Sequence, residues 1–108
     1  MRKKTCMNKE TELYTSTLGY VLEASELSEQ ELLYSKKEEC VDARCVLVEL
    51  LTQLGFSDSK IAKHTHRTRS AVCMMRNRFR VRSQRKFVAM LITEVNKLQA
   101  NSKQVVSD

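Results

Sequence analysis

The sequence predicts an all-α fold, a compact domain of five or six helices, and three observations carry that expectation. Pro is absent and Gly occurs twice in 108 residues, so the turn chemistry that strand-rich folds need about every ten residues is missing. Residues of reasonable helix propensity (Leu, Lys, Arg, Glu, Gln, Ala and Met) dominate. Apolar residues also recur at the three- and four-residue spacing of helix faces. A chain of this length holds one domain around one modest core.

Residues 1–9 form a basic, aperiodic arm and residues 101–108 a polar tail, both expected to be disordered, which leaves 10–100 as the helical domain. Between Glu10 and Ala24, Leu13, Thr17, Leu18, Val21 and Leu22 form a first amphipathic stripe. Ser28-Glu29-Gln30-Glu31 is a capping-box pattern opening a short helix through Leu32, Leu33 and Tyr34. A basic connector, Ser35-Lys36-Lys37, follows. From Glu38 to Leu54 the stripe Val41, Cys45, Val48 and Leu51 is widened by Leu47, Leu50 and Leu54. A helix apolar over so much of its girth belongs at the centre of its domain. Gly55 suits the left-handed residue that ends it. Ser57 or Asp58 then caps a short helix burying Ile61 and Ala62. Thr65-His66-Arg67 is the turn, and Thr68 caps a helix to about Arg82 with Val72, Met75 and Phe79 inward. A last helix, Gln84 to Ala100, presents Phe87, Val88, Leu91, Ile92, Val95 and Leu98. Only Ser83 separates it from its predecessor, so one bent helix is an open alternative.

Charge is strongly polarised beneath a net +6: residues 1–5 carry +3, residues 6–50 carry −6 and residues 51–108 carry +9. Such asymmetry marks a basic face for a polyanion better than the overall balance does. It coincides with a spacing signature at 57–82. A helix-turn-helix packs a β-branched and a small residue of its supporting helix on the core and turns tightly. Its second helix then faces base edges. Ile61-Ala62 followed by Val72 has that spacing. With Val72, Met75 and Phe79 inward, Ser70, Cys73, Met74 and Asn77 point outward, Arg69, Arg76 and Arg80 line one flank and Arg78 and Arg82 the other. Asn and Arg can contact bases bidentately, and flanking cations neutralise phosphates.

The run Ser28 to Leu32, Lys36-Lys37 and Val41-Asp42-Ala43-Arg44 resembles, in order, the C-terminal DNA-binding domain of the bacterial replication initiator DnaA. There a short helix leads through a basic loop into a "V-x-A-R" helix start. The resemblance runs from residue 18 to about 98 and implies a second basic surface, Lys36, Lys37 and Arg44, near the minor groove and backbone. Arg69, Ser70 and outward neighbours would read the major groove. The family's "D-H-T-T-V" signature is here Thr68-Arg69-Ser70-Ala71-Val72, so a different target sequence is expected. The turn is one residue shorter, closer to LuxR-type regulators and sigma factors, and the initiator's ATPase module has no counterpart.

The expectation is therefore a sequence-specific duplex-DNA-binding protein, such as a small transcriptional regulator or a mobile-element accessory factor. Arg67, Thr68, Arg69, Ser70, Cys73, Arg76, Asn77 and Arg80 would lie near bases or adjacent phosphates, and Lys36, Lys37, Arg44, Lys60 and Lys63 near the backbone. The alternative is a helical protein–protein or dimerisation module with a basic outer face. The stripe Val88-Leu91-Val95-Leu98 of the last helix is its candidate surface for a second copy. Neither a cofactor nor an enzymatic role is expected: the two Gly are isolated at 19 and 55, without a phosphate loop. Cys40 and Cys45 are five apart and His64 and His66 two apart, which does not fit structural zinc spacing. Four Cys without a signal-like apolar run fit a reducing cytoplasm. No stretch approaches the roughly 18 apolar residues that span a bilayer.

Overall fold

The structure, a computed structural model, describes the backbone of residues 9–107 and the side chains of 9–100; the expected basic arm, apart from Lys9, lies outside the described residues. Six helices follow in order: α1 (Lys9–Ser25), α2 (Glu29–Tyr34), α3 (Glu38–Gln53), α4 (Asp58–Thr65), α5 (Arg69–Arg82) and α6 (Lys86–Ser107). No strand occurs among the described residues, and the fold is all-α.

Local chemistry sets most boundaries. Ser28 Oγ accepts the Glu31 amide at 3.1 Å while Glu31 Oε1 accepts the Ser28 amide at 3.0 Å, a complete capping box. Ser57, rather than Asp58, caps α4 by accepting the Lys60 amide, and Thr68 caps α5 by accepting the Ala71 amide. Each such cap is worth about 1 kcal/mol. At the end of α3, Gly55 adopts φ +97°. The Phe56 amide donates to Leu51 O and the Gly55 amide to Thr52 O, both at 3.0 Å. This is a Schellman closure, sealed by burial of both Leu51 and Phe56.

α3 packs against α1, α2, α5 and α6. Val46, Leu47, Val48 and Leu51 are fully buried together with Val21, Leu32, Ile61, Val72, Val88, Leu91 and Val95. The α1 face is shifted slightly from the expected stripe: Tyr14, Thr17, Leu18 and Val21 are buried, whereas Leu13 and Leu22 pack at the edge. Burial pushes the Tyr14 phenol up to about 12, since a buried phenolate would lose its hydration.

α5 and α6 are separate helices as expected, because residues 83–85 form a turn in which Ser83 Oγ donates to Arg80 O at 2.8 Å, although α6 starts at Lys86 and not at Gln84. α6 also runs to Ser107, past the expected start of a disordered tail. Its apolar stripe lies on α1 and α3: Val88, Leu91 and Val95 are fully buried and Leu98 half-buried. The surface expected to meet a second copy is thus covered by the protein's own core. No helix is long and apolar enough to cross a membrane among the described residues.

Candidate nucleic-acid interface

The segment expected as a helix-turn-helix consists of α4, a three-residue turn at 66–68 and α5. Ile61 and Val72 are fully buried and Ala62 nearly so, which seats both helices on α3. The chain reverses at His66, held at φ +60°. His is one of the few residue types found there with some regularity. The Arg67 amide closes the turn on Ala62 O at 2.9 Å.

Val72 and Met75 are buried and Phe79 packs at the core edge. The opposite side of α5 carries Ser70, Met74, Asn77, Arg78 and Val81, all exposed, with exposed Arg69 and Arg80 along one rim. Cys73 is half-buried. Its Sγ lies 3.9 Å from both the Arg76 Nη2 and the Asn77 Nδ2, each positioned to donate to it.

The expected contact residues separate by what they touch. Arg44 is a correction: it is buried, with Nε donating to Leu32 O at 2.8 Å and Nη2 to Ser35 O at 2.6 Å. Burial and then the Arg67 charge lower its pKa. It satisfies the free carbonyls at the end of α2 instead of facing solvent. Arg67 acts alike, donating from Nη2 to Leu33 O with its guanidinium 5.9 Å from the Tyr34 ring centroid. Arg76 pairs with Asp58 at the start of α4. Lys60 sits 3.4 Å from Glu10, whose other oxygen lies 2.8 Å from His64 Nε2. His64 in turn stacks on Tyr14 at 4.7 Å. The hydrogen bond to His64, ahead of the contribution of Lys60, holds the Glu10 carboxyl below its ordinary value.

Arg82 and Arg85 converge on Asp42, which is fully buried. Arg82 Nη1 donates to Oδ1 at 2.6 Å and Arg85 Nε to Oδ2 at 2.7 Å. Arg82 also bonds Glu38 at 2.9 Å. That bond, with the one from Arg82 to Asp42, raises the Arg82 pKa, and it lowers that of Glu38. By contrast Lys36, Lys37, Lys63, Arg69, Arg78 and Arg80 are exposed and make no ion pair among the described residues. Lys36 and Lys37 sit on the connector before α3. Arg67 fastens one side of that connector, at Leu33, and Arg82 the other, at Glu38. The helices on either side of the connector are therefore each tied to the α5 segment, α2 through the turn before it and α3 through its last residue.

Thr68 is occupied in capping, whereas Arg69, Ser70, Asn77 and Arg80 lie on one exposed surface. The expected contact set omits Met74, Arg78 and Val81, although their i, i+4, i+7 spacing was readable as one helix face. Comparison with models of known families, with curated proteins and with solved structures gives no significant match.

Proposed function

We propose that the chain binds duplex DNA through α4–turn–α5 acting as a helix-turn-helix, with the Lys36-Lys37 connector as a second contact. On this reading it is a small transcriptional regulator or a mobile-element accessory factor. One observation carries the reading. Arg69, Arg78 and Arg80, free of acidic partners among the described residues, edge a helix face of Ser70, Asn77 and their neighbours that serves no part of the core. A helix presented in this way combines hydrogen-bonding groups for base edges with cations for the phosphates beside them. The connector adds two exposed lysines that make no ion pair among the described residues. The competing reading, an apolar docking module, has less support because the α6 stripe is spent on the core.

The test is fluorescence anisotropy with a labelled duplex between 50 and 200 mM salt. Six phosphate contacts release enough counterions to cost about 10³-fold in affinity over such a range. A steep loss of that order supports the reading. Absence of binding, or binding indifferent to salt, overturns it.

A further inference from the structure

Met74 and Val81 on α5 are exposed at 51% and 74%, and the fold gives no account of them. Neither belongs to the core or to the hydrophobics packed against it, and Val is a poorer former of exposed helix than Ala, Lys or Arg. They are not scattered. With Asn77 and Arg78 they occupy positions i, i+3, i+4 and i+7 of one face, the spacing by which the third helix of a homeodomain reads the major groove. Arg69, Arg78 and Arg80 border them without acidic partners among the described residues, so the face is complementary to a polyanion despite its two apolar side chains. A protein or lipid partner would be met by a broader apolar area. A row of two apolar tips with an amide between them, edged by guanidinium groups, fits a groove floor lined with methyl groups and walled by phosphates.

We infer that Met74 and Val81 are specificity-determining residues that contact thymine C5-methyl groups in the major groove, with Asn77 between them reading an adenine. The inference rests on the DNA-binding reading. Its chemistry is simple: in the major groove thymine alone carries a methyl group, and an apolar side chain against it distinguishes T·A from the other pairs, while Asn pairs bidentately with adenine N6 and N7. The ligand class is accordingly a duplex whose central steps contain thymine and adenine. Among the described residues the Asn77 amide is held only by its weak contact to Cys73 Sγ, so it can turn to a base at little cost.

Duplexes enriched by the intact chain from a random pool provide the probe, synthesised once with thymine and once with deoxyuridine throughout. The exchange deletes each methyl group and leaves pairing and charge intact. For two methyl contacts the wild-type affinity falls about tenfold on the uracil duplex. Met74→Ala combined with Val81→Ala shows a similar loss on the thymine duplex and almost none on further exchange to uracil. Circular dichroism of this variant matches the wild type, since both positions are exposed. Equal wild-type affinity for the two duplexes overturns the inference, as does a variant that keeps the full uracil sensitivity. Salt-sensitive binding without any enriched sequence also overturns it and leaves the DNA-binding reading standing. Failure to bind any duplex overturns both.

Discussion

Arg80 and Arg82 lie two residues apart on α5 and are used in opposite ways. Arg82 bonds the buried carboxylate of Asp42 and the exposed one of Glu38, joining α5 to the start of α3. Arg80 has no acidic partner among the described residues and stands in solvent. The same division runs through the basic residues of the chain. Arg44, Arg67, Arg76, Arg82 and Arg85 fasten helices to one another; Lys36, Lys37, Lys63, Arg69, Arg78 and Arg80 do not. A count of positive charge cannot separate these sets, because the separation lies in which carboxylates and carbonyls the fold brings within reach.

Breaking the fastening set should cost stability. Asp42→Ala removes the buried carboxylate that Arg82 and Arg85 share and leaves both with only the exposed Glu38 among the described residues, and removal of one partner from a buried pair costs about 3 to 5 kcal/mol. The partial exposure of both arginines puts the expectation near the lower figure, read as a fall in the urea midpoint. A midpoint unchanged by this substitution would show that the two guanidinium groups turn to water freely. Arg44→Ala removes two charge-assisted bonds to the end of α2 and should cost about 2 kcal/mol. Replacing Lys36 and Lys37 with Ala together should leave the midpoint where it was. Intact stability with weakened duplex binding in Arg44→Ala would move Arg44 to the other set.

The unpaired set should respond the other way. Arg69→Ala with Arg80→Ala should stay within about 0.5 kcal/mol of wild type in stability. Its salt slope for duplex binding should fall by about 2, one for each lost phosphate contact. Full retention of that slope would place the duplex on another surface.

The smallest expected effect concerns Glu10, which holds Lys60 and His64. Its carboxyl titrates below the ordinary 4.5, first because of the His64 hydrogen bond. A lowered folded-state value means that the contribution is complete above the ordinary pKa and is lost as pH falls through the lowered one. Stability curves of wild type and Glu10→Gln should therefore differ at neutral pH and converge in acid, below the ordinary carboxylate range. Parallel curves would show that the contact is replaceable by a neutral amide.

What could be read in advance follows from the range of the interactions. The caps at Ser28, Ser57 and Thr68 and the glycine at 55 act within three or four residues, so helix starts and stops were legible. Helical periodicity likewise exposed the core of α3 and the inner face of α5. The ion pairs were not legible. Asp42 and Arg82 are brought together by the packing of α5 on α3, and Arg76 meets Asp58 only once α4 and α5 fold back on each other. Arg44 was misplaced for a related reason. The resemblance of Val41-Asp42-Ala43-Arg44 to the initiator's helix start implied a phosphate contact, and only the fold reveals that the end of α2 delivers two carbonyl oxygens to it. Val81 escaped because an apolar residue at the end of an amphipathic helix reads as core edge until its neighbours are placed.

The fastening of the Lys36-Lys37 connector has a consequence for association rates and entropies. Loops that order only upon contact lose conformational freedom at that moment, which weakens binding and slows the formation of a snug complex. Here the bond from Arg44 to Ser35 O and that from the Lys37 amide to Ser35 Oγ hold the connector in the free chain. The spacing between the two lysines and the outer face of α5 is then a fixed property of the free chain. Any surface touching both must match that span, and a flexible partner would have to bend to meet it.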